Sequence, residues 1–79
     1  MTIKINEDIK IYPNPTDNLL HINYAGKIKK TIVKSLSGEN IMVITQDPTI
    51  INTDILKNGI YFLEIHTTEG VTQAKFIKS

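Results

Sequence analysis

The sequence predicts an all-β domain of about seven antiparallel strands, on two observations. Its apolar content is β-branched: fifteen residues are Ile, against two Phe and no Trp, and such side chains are stiff at χ1 and fit a pleated surface. Helix formers are scarce, with two Ala and five Leu, while turn signals recur about every eight to twelve residues, the spacing of a small sandwich or barrel. With 79 residues in all, a single domain buries only roughly 60 to 65 per cent of its unfolded surface, so the core must be economical.

Residues 1–8 read as either a linker remnant or a first edge strand led by Ile3 and Ile5, and the domain proper is taken as residues 9–79. A strand ends at Tyr12, where Pro13-Asn14-Pro15-Thr16-Asp17-Asn18 follows. Two prolines remove two donors and push their preceding residues into extended conformations, so this segment is a rigid connection outside any ladder. From Leu19 to Tyr24 the pattern alternates, with Leu20, Ile22 and Tyr24 on the predicted core face. Ala25-Gly26-Lys27 turns into a strand from about Ile28 to Leu36, and Ser37-Gly38-Glu39-Asn40 turns that into Ile41–Ile44, a hairpin with Gly where φ must be positive.

Gln46-Asp47-Pro48 breaks the run before a short strand over Thr49–Thr53. Asp54–Gly59 is too short for a stable helix and ends in Asn-Gly, so it reads as a crossing loop with Leu56 plugging the core. In the final hairpin, Tyr61, Leu63 and Ile65 share one face and Ile60, Phe62 and Glu64 the other. Apolar residues on both faces there mark a central strand or one covered on its outer side. After Thr67-Thr68-Glu69-Gly70, the chain returns from Val71 to Lys78, and a terminal strand that reaches this close to Ser79 is expected to be structured and recognised.

Composition excludes several function classes. A formal net charge of +1 without any Arg is not the clustered basic footprint of a nucleic-acid or anionic-membrane binder, and Lys27-Ile28-Lys29-Lys30 is too short to be one. No cysteine means neither disulfides nor a thiolate metal site. No apolar run reaches the roughly 18 to 20 residues of a membrane span, and no secretory signal opens the sequence; if the domain is exported, its inner-membrane signal must lie on a longer parent chain.

Catalytic patterns are weak. His21 and His66 lie on alternating strands, the serines have no nucleophile elbow, and the carboxylates fall at turns. Asp17-Asn18 and Glu39-Asn40 do not match a calcium loop, and the isolated glycines make no phosphate cradle. No cofactor or metal is expected. Tyr12, Tyr24 and Tyr61 offer the rings and polar tips of an aromatic sugar platform, but they lie on different strands and are expected to pack at the core or rim instead.

Taken in order, Ile11-Tyr12-Pro13-Asn14-Pro15-Thr16, Leu20-His21-Ile22, Leu36-Ser37-Gly38, Leu56-Lys57-Asn58-Gly59-Ile60-Tyr61-Phe62-Leu63 and Lys75-Phe76-Ile77-Lys78 resemble the type A C-terminal sorting domain of the type IX (Por) secretion system. The likeness runs from about Ile9 to Ser79. It implies an immunoglobulin-like β-sandwich without catalytic activity, joined to an upstream cargo domain in a Gram-negative bacterium. Such a domain directs its cargo from the periplasm across the outer membrane, by way of translocon or shuttle components. A sortase-like peptidase at the surface then usually removes it, leaving the cargo on the outer-membrane surface or secreted.

The family's recurrent positions fall here on Pro13, Asn14, Pro15, Gly38, Gly59, Tyr61, Lys75, Phe76, Ile77 and Lys78. On this view the prolines pre-set a rigid loop, and Lys75 to Lys78 offer an edge with unpaired backbone groups to which a partner adds a strand. Two other classes compete. A carbohydrate-binding or adhesive sandwich requires an exposed strip of tyrosines, and a small hydrolase requires His21 and His66 close together with carboxylates.

Overall fold

Alternation along the chain becomes two facing sheets. The structure is a computed structural model that describes residues 3–4 and 9–79. Its strands are β1 (Ile3–Lys4), β2 (Lys10–Tyr12), β3 (Leu19–Asn23), β4 (Ile28–Lys34), β5 (Asn40–Ile44), β6 (Ile50–Asn52), β7 (Gly59–Thr67) and β8 (Gly70–Lys78). One sheet has the order β1-β8-β7-β4-β5 and the other β2-β3-β6. The seven strands from β2 to β8 pair antiparallel, whereas Ile3 and Lys4 run parallel to Val71 and Thr72. Ile5, the second residue proposed to lead a first strand, lies outside the described residues.

The chain changes sheets between β3 and β4, between β5 and β6, and again between β6 and β7. These crossings make a β-sandwich of the immunoglobulin-like type, in which β8, β7 and β4 face β2, β3 and β6. Leu20, Ile22 and Ile51 from one sheet meet Ile28, Val33, Leu63, Ile65 and Phe76 from the other. Leu56 joins them from the crossing loop, as its position between two turn signals predicts. Tyr24 packs against the same core from the end of β3.

Threonines do the polar work at the sheet joins. Thr31 Oγ1 donates to Pro48 O at 2.8 Å, which ties β4 to the β5–β6 crossing. Thr53 Oγ1 and its backbone N–H both donate to Asn18 O, anchoring the end of β6 to the start of β3. Every buried side-chain polar atom among the described residues has a partner, which a small core needs because an orphaned one costs about 1–3 kcal/mol.

The β4–β5 hairpin differs from its predicted bounds by two residues. Ser35 and Leu36 leave the strand because Ser35 Oγ bonds Ser37 Oγ at 2.9 Å and accepts from Glu39 N at 3.2 Å, which closes the turn early. Gly38 sits in that turn at φ 92°, a value at which a β-carbon is strained.

β8 contributes the largest fully buried side chain, Phe76, which stacks on Tyr61 at 5.6 Å between ring centroids. Phe76→Ala should cost about 3–5 kcal/mol by leaving a cavity that the sheets cannot close. A urea titration would show this as a lower midpoint at unchanged slope.

Candidate functional site

The proline segment and the end of β8 form one unit. The Tyr12–Pro13 and Asn14–Pro15 peptide bonds are cis, and the Asn14 side-chain amide is laid along the outer edge of β8 as a clasp. Asn14 Oδ1 accepts from Ile77 N at 2.9 Å, and Asn14 Nδ2 reaches Lys75 O at 3.4 Å. Two residues on, Thr16 N donates to Ile77 O at 2.8 Å and Ser79 N donates to Thr16 O at 2.8 Å. Thr16 and Lys78 thus form a parallel bridge. A side chain and a single bridged residue stand where a neighbouring strand would.

This corrects one expectation. The terminal strand does not present unpaired backbone at Lys75 to Lys78, because the proline segment bonds that edge, and β1 pairs its other end at Val71 and Thr72. The prolines have no N–H to offer a ladder, so the segment delivers its bonds through Asn14 and Thr16. The lysines also part company. Lys75 is exposed, whereas Lys78 is buried on the core side and its Nζ donates to Leu56 O at 3.3 Å.

The remaining motif positions gather at the same end of the sandwich. Gly59 pairs with Lys78 and Tyr61 with Phe76, and the Tyr61 hydroxyl donates to Lys57 O at 2.6 Å. Gly38 lies at this end too, since Lys34 opposes Phe62, but β7 and β4 separate its turn from the clasp. Pro13, Asn14, Pro15, Lys75 and Ile77 are exposed. Phe76 and Lys78 support them from within.

Over residues 10–79 the chain matches the family model described as a secretion system C-terminal sorting domain. The chain belongs to this family, the type IX secretion C-terminal sorting domains. No curated protein matches it. A sorting domain of this family is a secretion signal, and its place is in export through the type IX system to the cell surface or beyond. Among the described residues no helix is long and apolar enough to cross a membrane.

Elsewhere in the sorting domain the histidines lie on opposite sheets. His21 stacks on Tyr12 at 5.2 Å on the outer face of β3, and His66 stands on the outer face of β7. The core lies between them, which removes the hydrolase arrangement, and among the described residues no His, Asp or Glu cluster could hold a metal. The tyrosines form no strip either: Tyr24 and Tyr61 pack against the core and Tyr12 is exposed at β2.

One ionic group was not read from the sequence. Glu64, on the outer face of β7, receives Lys34 Nζ at 2.9 Å on one oxygen and His66 Nε2 at 2.7 Å on the other. Lys34 lies two residues along β4 from Ile32, which opposes Glu64, and His66 lies two residues along on β7, positions that share a face. The hydrogen bond from Lys34 holds Glu64 below its ordinary pKa, opposed by partial burial and aided by His66.

A depressed folded value means that the carboxylate's contribution is complete above the ordinary glutamate range and is lost as pH falls through the folded value. The urea-midpoint advantage of the native chain over Glu64→Gln should therefore shrink on acidification from about pH 6 to about pH 3. At the clasp, Asn14→Leu should cost about 1–2 kcal/mol. Amide hydrogen exchange should quicken at Ile77, while Leu63 and Ile65 change only with global stability.

Proposed function

We propose that the domain is a non-catalytic sorting signal, carried on a larger cargo, that directs that cargo from the periplasm across the outer membrane through the type IX secretion system. Translocon or shuttle components read it, and a sortase-like peptidase removes it at the surface, leaving the cargo on the outer membrane or secreted. The observation that carries this reading is the clasp. It joins the two family-motif segments, far apart in sequence, into one exposed patch of Pro13, Asn14, Pro15, Lys75 and Ile77.

With its edge bonds internally satisfied, β8 offers side chains rather than a free ladder. Recognition then reads a rigid shape: two proline rings, one ammonium, and the paired Ile60 and Ile77 on the sheet's outer face. Rigid pre-ordered surfaces lose less conformational freedom on binding than a frayed terminus does. The deep placement of Phe76 and Lys78 suits them to holding this patch in position.

The test is a reporter carrying an inner-membrane signal peptide and residues 1–79, expressed in a type IX-competent strain. Reporter should reach the medium or cell surface, and reporter retained in the periplasm would overturn the reading. Removing residues 75–79 would also empty the core of Phe76, so surface variants are the better probe. The double change Lys75→Glu with Ile77→Ser should keep the folded spectrum and cut export by about tenfold, the equivalent of roughly 1.4 kcal/mol of lost recognition.

A further inference from the structure

The larger sheet ends on one side in β1 and the bonded C-terminal half of β8, and on the other in β5, whose edge is open. Ser35 N donates to Glu39 O at 2.9 Å, and backbone groups alternate sides along a strand. Val33 and Thr31 therefore aim their groups at β5, and Lys34 and Ile32 aim theirs at β7. Met42 and Ile44, opposite Val33 and Thr31, answer β4. The N–H and C=O of Val43 point away from the sheet, and no backbone bond to them from outside it is present among the described residues.

Edge strands are ordinarily guarded by brevity, charge, proline, a bulge or a covering segment. β2 and β6 are three residues each, with Lys10 in one and Pro48 just before the other. β8 has its clasp. Along Asn40–Ile44 there is neither a charge nor a proline; the register slips at Ile41, which leaves Met42–Ile44 in regular pairing, and Ile41 and Val43 are 40% and 55% exposed. Met42 and Ile44 pack against the core from the other face.

We propose that β5 is an edge at which the domain accepts an added strand, its occupant being an extended apolar segment of another protein bracketed by Lys or Arg. The unpaired groups at Val43 require an extended backbone. The charges at either end choose the bracket, since exposed Glu39 precedes β5 and exposed Asp47 follows it. A second copy centred antiparallel on Val43 would set Glu39 against Asp47 at both ends, a like-charge opposition that a basic-bracketed strand turns into attraction. This inference goes beyond the sorting function and stands whether or not that function holds.

The test uses the ¹⁵N-labelled chain and two acetylated nine-residue peptides, Lys-Thr-Val-Thr-Val-Thr-Val-Thr-Lys and its counterpart with Glu at both ends. The Lys peptide should bind saturably, shift the Val43 amide and slow its hydrogen exchange, with an affinity about fivefold above that of the Glu peptide. Val43→Pro should abolish binding while keeping the fold, because the Val43 N–H lies outside the β4 ladder. If that variant loses the folded spectrum, Val43→Lys serves instead, since it sets a like charge on the edge. Absence of saturable binding, equal affinity for both peptides, or shifts centred on another edge would overturn the proposal. So would a Val43 shift that depends on protein concentration alone, which would assign the edge to a second copy.

Discussion

The bonds between Asn14 and the outer edge of β8 close the sandwich at its last strand. Without them the strand that carries Phe76 into the core would be held from one side over its C-terminal half, and its terminal residues would fray. The amide of Asn14 imitates a peptide group, giving one acceptor to Ile77 N and one donor to Lys75 O. Thr16 continues the imitation with backbone of its own. Only a segment held off the ladder by two prolines can lay a side chain there, so the restriction imposed by Pro13 and Pro15 is what makes the contact geometrically available.

The two sides of the larger sheet are built differently. Inside, aliphatic side chains meet across the core. Outside, Ile32 is buried to 6% exposure although no strand among the described residues lies over that face, because Glu64 and Val43 flank it across the strands and Lys34 lies along the same face. The ion pair costs side-chain freedom and is worth little as an isolated surface bridge. Its closeness to an apolar patch lets the stems of Lys34 and Glu64 shield what their charges leave open.

Much of the fold was legible because its signals are local. Alternation at Leu20, Ile22, Leu63 and Ile65 assigned faces correctly, and Leu56 was placed in the core by its isolation between two turns. The hidden part joins residues about sixty positions apart in sequence. Nothing near Asn14 indicates that it will bond Ile77, and nothing near Lys78 indicates that its ammonium will turn inward to Leu56 O rather than out to solvent. The terminal edge was misread for that reason: strand pattern reveals where a ladder runs but not what lies beside it. The Lys34–Glu64–His66 group needed a cross-strand register that pattern alone does not supply.

The side-chain amide of Asn14 and the backbone of Thr16 find their partners in residues 75 to 79. A chain emerging from the ribosome carries the first half of this contact long before the second half exists, and Leu63 and Ile65 wait with them for Phe76. Closure of the sandwich therefore waits for β8 to be made, and the exposed patch on which the proline segment and Lys75 sit side by side exists only on a molecule that already carries that strand. The patch proposed to be read in export is in this way also a record that β8 has been synthesised and has folded into place.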